Sequence, residues 1–121
     1  MSPTVARAAV ETALAIGAKA IVAYTRSGAT ARQVASHRAP VPLLVFTADP
    51  DVVRQLPMVW GVRPQIMLDV RTSDFLVEQV DAAVREAGVA SWGDLVVVVS
   101  GVPSGETGST NQMRVHRVGR G

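Results

Sequence analysis

Residues 20–24, Ala-Ile-Val-Ala-Tyr, are apolar at every position and include two β-branched side chains. A strand with one wet face would alternate apolar and polar residues. This run instead asks for burial on both faces, which arises when helices cover both sides of a mostly parallel sheet. It leads into Thr25, Arg26, Ser27 and Gly28 and then into Ala29, Thr30 and Ala31, where the residues suit a helix. Ser27 is a good N-cap, since its hydroxyl can accept a bond from a backbone N–H two or three residues on. Gly28 permits close approach of the backbone to a ligand, Thr30 adds a hydroxyl, and Arg26 offers a planar cationic fork. A strand, a small-residue turn and a helix start together form a ready anion site, with phosphate as the leading candidate. The same turn could also be only a well-capped strand-to-helix connection. Residues 25–30 alone leave both readings open.

The remainder of the chain repeats this alternation. Ser2 and Pro3 read as an N-cap and first helical residue, with Val5, Ala9, Val10, Ala13 and Leu14 forming one apolar helix face and Gly17 ending it. Val34 and Ala35 mark the buried side of a second helix that stops before Pro40. Residues 42–47 predict a second buried strand. Asp49 and Pro50 open a short helix through Val52, Val53 and Leu56 that Pro57 closes. After Trp60, Gly61, Val62, Arg63 and Pro64, a short strand is expected near 65–68, towards a sheet edge because of the proline. Thr72 or Ser73 caps a helix with Leu76, Val80, Ala83, Val84 and Ala87 at helical spacing, ended by Gly88. Trp92, Gly93 and Asp94 turn the chain into residues 95–99, Leu-Val-Val-Val-Val, the strongest strand signal present. A long loop over 100–111 follows, and then an alternating edge strand over 113–118. The expectation is a single α/β domain over residues 1–121, with helices on both sides of a mostly parallel sheet.

Composition narrows the function. At 121 residues, 48% hydrophobic and 18% charged, the chain is globular rather than disordered. A formal charge of +2, five aromatic residues and dispersed arginines give no nucleic-acid footprint. Without cysteine there is neither a disulfide framework nor thiolate chemistry. No signal peptide or membrane span is suggested, so the chain reads as soluble and cytoplasmic. His37 and His116 fall in different elements without partners at metal spacing, and read as helix-end or surface histidines. No Gly-x-Ser-x-Gly elbow occurs, and the carboxylates are scattered. The stretch Gly105-Glu106-Thr107-Gly108-Ser109-Thr110 is rich in glycine and hydroxyls. It has no lysine before Ser109 and precedes a strand, unlike a nucleotide-binding P-loop. A ligand clamp and a plain connector both fit it.

Taken together, residues 17–28, 40–47, 60–64 and 93–103, followed by Gly108-Ser109-Thr110-Asn111 and Arg114-Val115-His116, resemble the C-terminal domain of pyruvate kinase of bacterial type. The likeness runs over residues 4–119 with every motif in order. It implies a three-layer α/β/α sandwich around five strands in the order 3-2-1-4-5, the last antiparallel. The first and fourth strands would then be neighbours at the point where the winding reverses. Ligands of open α/β sheets bind at such points, outside the carboxyl ends of the strands. The resemblance further implies a regulatory and oligomerisation role in glycolysis. A phosphorylated effector (fructose 1,6-bisphosphate, another sugar phosphate or AMP) would be gripped by Thr25, Arg26, Ser27, Gly28, Ala29 and Thr30. The loop bearing Gly101, Gly105, Glu106, Thr107, Gly108 and Ser109 would close over it. A homo-oligomer is implied, and neither nucleic acid nor membrane is an expected partner.

Two departures from the family pattern qualify this. No arginine in the helix over 73–87 matches the family's second phosphate group; Leu76 stands near its place, with Arg71 or Arg114 as substitutes. A monophosphate effector, or none, fits as well as a bisphosphate. The chain is also several times shorter than pyruvate kinase, which transfers a phosphoryl group from phosphoenolpyruvate to ADP. The barrel domain with the catalytic lysine and the Mg and K sites is missing. No catalytic residue, metal or cofactor is therefore expected in this chain. The competing readings are a stand-alone phosphoester-binding protein or small enzyme with Glu106 as its base, and a purely structural oligomerisation module.

Overall fold

In a computed structural model, the structure describes residues 3–24, 29–37, 40–47, 50–55, 62–66, 73–103 and 109–119. Helix α1 (Pro3–Ile16) precedes strand β1 (Ala20–Tyr24); then come α2 (Ala29–Ala35), β2 (Leu43–Thr47), α3 (Pro50–Gln55), β3 (Val62–Ile66), α4 (Ser73–Glu86), β4 (Leu95–Pro103) and β5 (Ser109–Arg117). The centre is a mixed sheet in which β2, β1 and β4 run parallel and β5 pairs antiparallel with β4. β3 pairs parallel along the outer side of β2. The expected α/β class with a mostly parallel sheet is what the chain adopts.

Burial follows the period of two along each strand. Ile21, Ala23, Leu43, Val45, Val97 and Val99 belong to one apolar cluster with α1 and α2. Ala20, Val22, Leu44, Phe46, Val96 and Val98 belong to a second cluster with Val80 and Val84 of α4. All five residues of β1 and of β2 are buried, as their unbroken apolar composition requires. On α1 the inward stripe is Ala6, Ala9, Val10 and Ala13, small side chains that let the helix lie close to the sheet. Both α1 and α4 end in a Schellman motif at a left-handed glycine. Ala18 N–H donates to Ala13 O beyond Gly17, and Val89 N–H donates to Val84 O beyond Gly88.

Several expectations are corrected. Leu14 is 53% exposed and Ala6 takes its place in the core, because Leu14 lies on the flank of the stripe centred on Ala9 and Ala13. Ala87 is exposed at the end of α4. β3 occupies Val62–Ile66 rather than 65–68, with Pro64 opposite Val45. An edge strand tolerates the missing N–H. The expected loop over 100–111 is mostly strand: antiparallel pairing continues through Gly101↔Asn111 and Pro103↔Ser109, so the connection shortens to 104–108. In β5 the alternation runs opposite to an apolar-in pattern. Met113 and Val115 are 41% and 45% exposed, whereas His116 and Val118 are buried on the α4 side.

The expectations for Ser2, Asp49, Leu56, Pro57, Trp60, Gly61, Leu68, Arg71 and Thr72 concern positions outside the described residues. No helix among the described residues is long and apolar enough to cross a membrane.

Gly119 follows β5 with φ +88°, and a Cβ there would collide with the Trp92 ring. Gly119→Ala is expected to cost about 1–2 kcal/mol for the left-handed backbone. The added methyl should also displace the Trp92 ring, seen as a change in tryptophan fluorescence together with a lower melting temperature.

Candidate functional site

The sheet order changes direction between β1 and β4. From β1 the chain steps outwards through α2, β2, α3 and β3, then returns across the opposite face by α4 to β4, on the other side of β1. The register pairs Tyr24 with both Phe46 and Ser100, so β1 and β2 end side by side while β4 runs on past them in the same direction to Pro103. A crevice outside neighbouring strand ends at such a reversal is the habitual ligand position of open α/β sheets. Tyr24, Thr47 and Ser100 are buried towards this end of the sheet.

Two chain segments leave from this end. One is 25–28, running from β1 into α2; the other is 104–108, which joins β4 to β5. Thr25, Arg26, Ser27 and Gly28, together with Gly105, Glu106, Thr107 and Gly108, lie outside the described residues. Of the remaining candidates, Ala29 and Thr30 begin α2, Gly101 lies within β4 and Ser109 opens β5. Gly101 and Ser109 are therefore strand residues rather than loop residues, fixed opposite Asn111 and Pro103. The strand stems thus bring the two candidate segments to one end of the sheet. α2 has only seven residues, so its dipole adds little, and the arrangement of strand ends is the stronger feature.

The opposite end of the sheet holds a polar cluster that sequence reasoning missed. Asp81, on α4, accepts hydrogen bonds of 2.7 Å from His116 Nε2, Arg85 Nε and the backbone N–H of Gly119. His116 is 4% exposed, so it is a core histidine and not the surface or helix-end residue expected. Burial pushes the Asp81 carboxyl up. The bonds from His116 and Gly119 and the charge of Arg85 outweigh it, holding the group below the usual 3.8. The available signals were the i, i+4 pair Asp81/Arg85 on a helix and the position of His116 two residues before apolar Val118. No group of three or more potential metal ligands converges among the described residues.

The family model for the pyruvate kinase alpha/beta domain matches residues 3–116. A pyruvate kinase of Mycobacterium tuberculosis is 46% identical over 104 residues, covering 86% of this chain and 22% of that protein. One from Staphylococcus aureus is 42% identical over 108 residues, covering 89% and 18%. The structure of Cryptosporidium parvum pyruvate kinase in complex with ADP superposes with a TM-score of 0.87 at 30% identity, covering 96% of this chain and 23% of that one. The chain thus spans about a fifth of the length of these relatives. With the family model matched over residues 3–116 and relatives 46% and 42% identical along most of its length, the chain belongs to the pyruvate kinase alpha/beta domain family.

Proposed function

We propose that this chain is the regulatory and oligomerisation domain of a pyruvate kinase, and that it binds a phosphorylated effector at the crevice between β1 and β4. The observation that carries this reading is the adjacency of Tyr24 and Ser100 at the reversal of the sheet. From there residues 25–30 and the 104–108 connection can reach a common ligand. Arg26 and the hydroxyls of Thr25, Ser27 and Thr30 would hold a phosphate, each charge-assisted bond contributing roughly 1.5–3 kcal/mol. Gly105, Glu106, Thr107 and Gly108 would cover it. In the complete fold the five strands and the helices on both sides would form a three-layer sandwich. A homo-oligomer is supported by the open edge of β5, where Met113 and Val115 expose apolar surface. Phosphoryl transfer to ADP would belong to the rest of a longer protein in the cytoplasm.

The test is thermal unfolding with fructose 1,6-bisphosphate, a sugar monophosphate and AMP, on the wild type and Arg26→Ala. A ligand at a hundred times its dissociation constant should add about 2.7 kcal/mol. Arg26→Ala should remove most of that shift. If no phospho-ligand shifts the wild type, effector binding is excluded, and a purely structural oligomerisation role becomes the better reading.

A further inference from the structure

Asp81 is buried, and three donors from three places in the chain converge on its carboxylate: Arg85 one helical turn along α4, His116 from β5, and the Gly119 amide just past β5. Oδ1 takes the arginine, while Oδ2 takes both His116 Nε2 and Gly119 N–H. The residue before it is held differently, since Val118 N–H donates to Asp94 O and Val118 O accepts from Gly93 N–H. The end of β5 is therefore held both by backbone bonds and by a contact that depends on an ionisable group.

We propose that Asp81, His116 and Gly119 form a proton-released latch that holds the chain segment leaving β5 against α4 and seats Gly119 under the ring of Trp92. An ionised carboxylate accepts all three bonds at once. A proton on Oδ2 occupies the atom that receives both His116 and Gly119, and frees the Gly119 amide. Solvent reaches the latch through an open hollow of about 250 Å³ lined by Glu78, Asp81, Arg85, Trp92 and Gly119. The titratable and charged groups around Asp81 are thus Glu78 and Arg85 on α4 and His116 on β5. Arg117 turns to the other side and donates to Gly93 O. Release frees Gly119 and leaves the ring of Trp92, already 74% exposed, without its glycine seat.

Amide hydrogen exchange on the 121-residue chain at pH 7 tests this, with Val118 as the internal reference. In Asp81→Asn, which keeps the shape and loses the charge, Gly119 exchange should rise at least tenfold more than exchange at Val118 and at the β1 amides, which report any loss of overall stability. Unchanged Gly119 exchange overturns the proposal. So does an equal rise at Val118, because the role of Asp81 is then general stability. A second readout uses the unmodified chain. In an acid titration by NMR, the Gly119 amide and the Asp81 carboxyl carbon should move with one midpoint below 3.8, and a Gly119 amide that ignores Asp81 refutes the latch. Should the chain unfold in acid first, the exchange result at pH 7 decides alone.

Discussion

Ile21→Ala should lower the free energy of unfolding by about 4 kcal/mol, near the upper end of the 2–5 kcal/mol range for such truncations. Ile21 is 1% exposed, stands in the central strand between Leu43 of β2 and Val97 of β4, and faces the alanine stripe of α1. Neighbours on both sides are held by strand pairing, so the cavity cannot close by a small shift. For a domain of this size, such a loss is a large part of the whole stability. Urea unfolding of the variant against wild type gives the number directly. Leu14→Ala, on the flank of α1, should change stability by less than about 1 kcal/mol because its side chain already meets water. A comparable loss at both positions would contradict the helix orientation described above.

Asp81→Ala should cost roughly 3 kcal/mol at neutral pH, since it strands a buried imidazole donor and the Gly119 amide and leaves Arg85 without its partner. The effect carries a pH signature with a definite sign. The folded carboxyl lies below its ordinary 3.8, so its stabilisation is fully present above that value and disappears as pH falls through the lower folded value. Denaturant midpoints of wild type and Asp81→Ala should therefore be far apart at pH 7 and draw together below about pH 4. A gap that stays constant into acid would mean that the carboxylate charge contributes nothing.

The fold was largely legible because its central strands are apolar at every position. Residues 20–24 and 95–99 can be satisfied only between two layers of helix, and alternating elements supplied those layers. Legibility fails where one sequence pattern serves two structures. The stretch 100–111 has the glycine and hydroxyl content of a loop, yet backbone pairing needs no particular side chain, and β4 and β5 extend through much of it. The same ambiguity hid His116. A polar residue in an alternating strand normally faces water, and only the distant Asp81 makes its burial tolerable. Leu14 was misplaced because a stripe of alanines carries little hydrophobic weight in a sequence but sets the closest approach of helix to sheet. For the candidate site, the strand stems follow from the order of elements. The proposed grip would depend on residues 25–28 and 104–108, for which sequence supplies donor types and only the resemblance suggests roles.

The two borders of the sheet are chemically unequal. β3 carries Pro64 in its middle and so lacks one of the amide donors that an added strand would need, whereas β5 presents a nine-residue backbone without proline. Subunits joining border to border would be driven to match like with like, β5 against β5 about a twofold axis. Such a contact consumes the receptive border of both copies, so assembly by this route stops at a pair and cannot run on into a fibre.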